Sequence, residues 1–129
     1  MLPRTRARKR ALDILHSADA LDRPVLDVLA GEVDVGDFTR EIVEGVVEHR
    51  EELDETIRRY ADRWALERMP IVDRNLLRIG IYELLYHLDV PTGAVINEAV
   101  ELAKLLSTED SGRFVNGLLG RVARENARA

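Results

Sequence analysis

The sequence predicts an all-α fold of about seven helices, and three observations lead there. The stretch from Met69 to Tyr86 is apolar nearly all round, interrupted only by Asp73, Arg74, Asn75, Arg78 and Glu83. A helix of that kind is buried among others rather than laid on a surface. Elsewhere apolar residues recur three and four apart, the period of a helix with one face inward. No segment alternates apolar and polar as a half-buried strand does, and no internal repeat or low-complexity stretch appears. With 129 residues, 46% of them hydrophobic, the chain can close one core, as one domain or as two small subdomains sharing an interior.

The first helix begins within the basic N-terminal run and continues to about Ala20. Ala7, Ala11, Ile14, Leu15 and Ala18 face inward, and Lys9, Asp13 and His16 share the opposite face. Pro24 to Ala30 forms a short helix with Pro24 in its first turn and Gly31 as its stop. Val33 to Gly36 is a loop, with Asp37 as the next N-cap. Two stripes follow with the same period: Phe38, Ile42, Val43, Val46 and Val47, then Leu53, Ile57, Tyr60, Ala61 and Trp64. Nothing in His49-Arg50-Glu51-Glu52 demands a break, so one long helix and two shorter ones both fit, and two are favoured.

In the central helix Pro70 occupies the first turn, where its missing N–H has no partner to lose. Asp73 meets the positive end of the helix dipole. Leu76, Leu77, Ile79, Ile81, Leu84, Leu85 and Leu88 leave no clean polar side. Asp89-Val90-Pro91 stops it, since the residue before proline is pushed out of helical geometry. A helix over about Ala94–Leu106 carries Asn97, Glu98, Glu101 and Lys104 as its polar stripe. Ser107 to Ser111 is a cap-rich junction. The last helix turns Phe114, Val115, Leu118, Leu119 and Val122 inward. Gly117 and Gly120 cost it roughly 1 kcal/mol each against alanine, so a neighbouring backbone is expected to approach there.

Composition narrows function. There is no cysteine, hence no disulfide, thiolate metal site or cysteine nucleophile. No signal peptide or membrane-spanning run is visible, which points to the cytoplasm. The formal net charge is −5, yet Arg4, Arg6, Arg8, Lys9 and Arg10 fall in the first ten residues with no acid among them. A basic block on an acidic body fits a localised anionic partner; a solvated terminus is the bland alternative. His16, His49 and His87 have no second ligand at helical spacing and read as surface or boundary residues, not metal ligands. Glu98 and Glu101 read as solvated surface. No phosphate loop or nucleophile elbow is present, so neither catalysis nor a cofactor is expected.

What remains is binding. The basic block neutralises phosphates without sequence preference. The junction before the last helix adds Asp110, Arg113 and Phe114: hydrogen-bonding groups and a ring, the kit of single-stranded RNA recognition. Each also has a structural explanation, as cap, solvated charge and core.

Several ordered blocks then resemble the NusB family of bacterial transcription antitermination factors. They are Leu77 to Leu84, Asp89-Val90-Pro91, Ile96 to Lys104, Glu109 to Leu119, and the arginine-rich start Ala7 to Leu12. The resemblance spans nearly the whole chain and is weak between about Asp19 and Asp37. It implies two three-helix bundles, about 11–65 and about 70–125, behind a basic arm over 1–10. It also implies a non-enzymatic, RNA-binding role: recognition of the boxA element of nascent ribosomal RNA together with the small-subunit ribosomal protein NusE, within an RNA polymerase antitermination complex. By position, Arg4, Arg6, Arg8, Lys9, Arg10, Asp110, Arg113 and Phe114 match the RNA-contacting regions. Glu67 and Asp73 match the region that meets the ribosomal protein. At His16 the family commonly has tyrosine, which stacks more extensively. Some members pair as homodimers, and the sequence does not decide between monomer and dimer. Two alternatives stand beside this reading. One is a NusB-like module of a ribosomal RNA methyltransferase type, against which the end at Ala129 without a methyl-donor domain argues. The other is a purely protein-binding helical adaptor.

Overall fold

A computed structural model describes residues 2–62 and 64–126. Among them are seven α-helices and one 3₁₀ turn, and no strand. The helices are α1 (Pro3–Leu21), α2 (Val25–Ala30), α3 (Asp37–Glu48), α4 (Arg50–Tyr60), α5 (Ile71–Tyr86), α6 (Thr92–Leu106) and α7 (Glu109–Glu125), with the 3₁₀ turn at Leu66–Arg68. The all-α expectation holds. The helical run from Phe38 divides in two at His49, whose φ of −104° and ψ of 17° leave helical geometry.

Helix α5 is the hub that touches α1, α3, α4, α6 and α7. Helices α1, α2 and α3 pack on one another, and α6 and α7 pack together against α5. Helix α4, which sequence assigned to the N-terminal half, packs chiefly on α5 and α7. Ala11, Ile14, Leu15 and Ala18 of α1 are buried, as their spacing predicts. So are Leu76, Leu77, Ile79 and Ile81 of α5.

Four of the polar residues of α5, Asp73, Asn75, Arg78 and Glu83, are buried as well, which apolar periodicity did not foresee. Arg78 donates through Nε to Asp54 at 2.8 Å and through Nη1 to Asp19 at 3.2 Å. Asn75 donates to Asp19 at 3.0 Å. Buried polar groups persist where their hydrogen bonds are met, and here those bonds join α1, α4 and α5. Burial pushes the Asp19 carboxyl up, but the Asn75 hydrogen bond and the Arg78 and Arg74 guanidiniums outweigh it and hold it below its ordinary range. His87 is not a surface residue either: it is buried, its Nε2 2.7 Å from Glu41 and its Nδ1 3.6 Å from Glu83.

Several local expectations are corrected. Gly36, not Asp37, is the N-cap of α3, and Asp37 is its first helical residue. Pro24 and Pro70 each cap their helix from just outside it. Helix α4 ends at Tyr60, so Trp64 leaves the stripe and is 50% exposed. Helix α5 ends at Tyr86, which leaves Leu88 exposed, and Leu105 of α6 is exposed too. Close approach occurs at other glycines than those expected. A Cβ at Gly45 would run into the Tyr82 ring, and one at Gly80 would lie 2.8 Å from Leu119 Cδ1. At Gly117 such an atom would meet nothing within 4 Å, and at Gly120 only the Arg124 side chain.

Candidate nucleic-acid and partner interface

The basic block is not a loose arm. Helix α1 starts at Pro3, a residue preset for a first turn, so the cations are fixed on a helix and fan out around its axis. Arg8 points inward and is 4% exposed. Its Nε and Nη2 donate to the two carboxylate oxygens of Glu83 at 2.9 Å each, and its Nη1 lies 3.6 Å from Glu98. Burial pushes this guanidinium down, yet hydrogen bonding and charge from Glu83, aided by Glu98, leave it above its ordinary value. Arg8 therefore holds α1 to α5 and offers no phosphate contact, contrary to its place among the expected RNA residues. Glu98, expected to be plain solvated surface, accepts a hydrogen bond from the Thr5 hydroxyl at 2.8 Å.

The other cations reach solvent. Arg4 lies over the Phe38 ring, 4.6 Å from its centroid. Lys9 donates to Asp13 at 3.1 Å, and Arg10 to the Val33 carbonyl at 3.0 Å. Arg6, Lys9, Arg10 and Asp13 of α1 line a groove of about 560 Å³, with Asp34 and Thr39 also in its lining. Its walls are fixed where the Thr39 hydroxyl donates to the Ala7 carbonyl at 2.9 Å. Exposed ion pairs of this kind are weak, so an incoming phosphate can recruit the cations.

At the start of α7 the cap is Thr108, whose Oγ1 accepts from the Ser111 N–H at 2.9 Å. Asp110 is not the cap: it stands in solvent in the first turn, paired with Arg113. Phe114 is half-buried, its ring 5.2 Å from that of Trp64. Asp73 differs most from expectation. It is 1% exposed, and its Oδ2 accepts from the Ser111 hydroxyl at 2.7 Å. Such a carboxylate fastens α5 to α7 and presents nothing to a partner. Glu67 is exposed and accepts from Arg58 at 3.1 Å. A backbone hydrogen bond at Glu67 itself, then Arg58, holds its carboxyl below the ordinary range.

The two regions expected to contact RNA do not converge on one spot. Glu83 anchors the α1 cations and Asp73 anchors the α7 start, roughly three turns apart on α5, or about 15 Å.

A model of the NusB family matches residues 5–124. The chain belongs to the NusB family. NusB from Salinispora arenicola, named a transcription antitermination protein, is 51% identical and aligns with 95% of this chain and 96% of its own. Its counterpart from Leifsonia xyli subsp. xyli is 49% identical over 99% and 96%. Among solved structures, T. maritima NusB superposes with a TM-score of 0.89 at 36% identity, covering 98% of this chain and 94% of that one. A chain from a crystal structure of antitermination factors NusB and NusE in complex with dsRNA gives 0.82 at 27% identity, covering 96% and 99%.

Within this chain, sequence reasoning singled out Arg113 on the outer face of α7 but passed over Gly117 and Arg121 as neighbours that could bind. Arg113, Gly117 and Arg121 stand four apart, which places them on one face. That spacing was the available signal. The Thr5–Glu98 and Ser111–Asp73 contacts join residues far apart in the chain, and no local pattern announces them.

Proposed function

We propose that this chain is a transcription antitermination factor that binds a boxA-like element of nascent ribosomal RNA jointly with the small-subunit ribosomal protein NusE. The observation that carries this reading is its likeness, over nearly the full length of both chains, to the NusB of a NusB–NusE–dsRNA complex. The basic groove of α1 supports it, because Arg6, Lys9 and Arg10 sit where a phosphate backbone can run along a rigid wall. RNA contact is assigned to Arg4, Arg6, Lys9, Arg10, Asp110, Arg113 and Phe114, with Arg8 as the residue that fixes the helix bearing the first four. Partner contact is assigned to the surface around Glu67, while Asp73, buried against Ser111, fastens α5 to α7. The protein works by binding, not catalysis, as part of the polymerase complex in the cytoplasm. No helix among the described residues is long and apolar enough to cross a membrane.

The test is fluorescence anisotropy with boxA-like and scrambled RNA, each with and without NusE. Tighter binding of the boxA-like RNA, tightened further by NusE, is the expected result. Equal affinity for both RNAs, with no effect of NusE, would refute the reading. Replacing Arg6 and Lys9 by Gln is expected to weaken both RNAs alike and to lower the salt slope by roughly 0.7 per lost contact. Asp110→Asn is expected to alter the ratio between the RNAs with the slope intact, since a carboxylate reads base donors and repels phosphate.

A further inference from the structure

We propose that the groove between the end of α4 and the outer face of α7 is a second RNA site, holding a nucleotide of the single strand beyond the boxA-like element. The proposal rests on the RNA-binding reading above and extends it along α7. The groove encloses about 660 Å³ and is lined by Tyr60, Arg113, Phe114, Gly117, Arg121 and Arg124, among others.

Three features point to a nucleotide. First, Gly117 sits exposed in mid-helix with open space where a Cβ would stand. A glycine there weakens the helix, and no neighbour in the fold uses the gap. A planar base lying against the bare backbone would use it. Second, two rings, those of Tyr60 and Phe114, line the same groove as the gap. Phe114 stands one turn before Gly117 and packs on Trp64, a tryptophan half exposed to solvent. Base–aromatic stacking tolerates any base, because every base has a π-face. Third, guanidiniums stand where the backbone of such a nucleotide would pass. Arg121 lies 5.1 Å from the Tyr60 ring centroid and 3.4 Å from Asp62, Arg124 follows on the same face, and Arg113 pairs with Asp110. Both carboxylate pairs are solvent-exposed, so a phosphate can displace them. An acidic peptide would satisfy the arginines but leave the glycine gap and the rings unexplained. A strand already held at Asp110 and Phe114 enters the groove directly, for α7 carries both.

The experiment uses the full chain with NusE and three RNAs: the boxA-like element alone, and the same element lengthened by a few nucleotides at its 5′ or 3′ end. Gly117→Leu fills the gap with a better helix former, so the variant is expected to melt no lower than the unsubstituted protein. It is expected to bind one lengthened RNA about tenfold more weakly and the short RNA unchanged. Arg121→Gln with Arg124→Gln is expected to reduce the salt slope for that RNA by roughly 0.7 per lost contact. Unchanged binding of all three RNAs by Gly117→Leu would overturn the proposal, and so would equal weakening of all three. Competition by polyglutamate at the groove, with no effect of the arginine changes on RNA, would assign it to an acidic peptide instead. If the unsubstituted protein bound no RNA, the RNA-binding reading itself would fall. If Arg6 and Lys9 substitutions alone mattered, that reading would stand and the α7 site would not.

Discussion

Arg8 and Lys9 are neighbours of like charge with opposite duties, and the difference lies in one helical step. Lys9 faces solvent and pairs loosely with Asp13. Arg8 faces α5 and meets Glu83 with two parallel hydrogen bonds, both side chains almost wholly buried. Removing one member of a buried pair strands the other, at about 3–5 kcal/mol. Arg8→Ala is therefore expected to lower the urea midpoint steeply, and Arg8→Lys to recover only part, since an ammonium cannot reproduce the two-pronged contact. Lys9→Ala is expected to change stability by no more than about 0.5 kcal/mol while weakening RNA. Equal midpoints for Arg8→Ala and Lys9→Ala would show the pair to be idle. Phe114 makes a related point. It is half-buried, so Phe114→Ala is expected to cost less than the roughly 3–5 kcal/mol of a fully buried ring, as thermal melts would show. The basic run was legible as charge, but which member faces inward depends on a partner 75 residues away, and no local spacing reports that.

At the scale of elements, the start of α7 is where sequence reading came nearest and still misassigned roles. Short oxygen-bearing residues before a helix announce a cap, and the cap exists, at Thr108 rather than Asp110. Asp73 announced itself as a first-turn acid of α5, and it is one. What the sequence could not disclose is that the two helix starts meet, Ser111 donating to a carboxylate sealed from water. Thr108→Ala is expected to cost about 1 kcal/mol, the usual worth of a cap. Ser111→Ala leaves a buried carboxylate oxygen without its donor, which costs about 1–3 kcal/mol and more where the group is charged. The ranking is the test: Ser111→Ala is expected to destabilise more than Thr108→Ala in chemical denaturation. Because Asp110, Arg113 and Phe114 ride on that turn, both variants are also expected to loosen RNA. Asp73→Lys, which would suit a surface contact, is instead expected to disturb folding, by placing an unpaired cation in the interior.

At the scale of the molecule, α1, α4 and α5 are tied by a charged network rather than by apolar contact alone. Asp19 lies 3.2 Å from both Arg74 and Arg78 and 3.6 Å from Arg50, and Asp54 receives Arg78 and Arg50. The helices as such were readable from apolar period, yet their mutual fastening runs through polar residues that the same period treated as interruptions. The network also sets a pH dependence. The Asp19 carboxyl is depressed in the folded chain below its ordinary value of 3.8, so the folded state holds its proton less tightly than the unfolded state does. Its contribution is therefore complete above that ordinary value and is lost as pH falls through the lower, folded one. Asp19→Asn removes this titration. The variant is expected to be less stable than the unsubstituted protein at neutral pH, because Arg74 and Arg78 lose a charged partner. Between about pH 4 and the depressed value the unsubstituted protein is expected to lose stability faster, so that the two curves converge. Urea midpoints for both proteins across that range decide the matter: curves that fell in parallel would mean that Asp19 does not couple the network to pH.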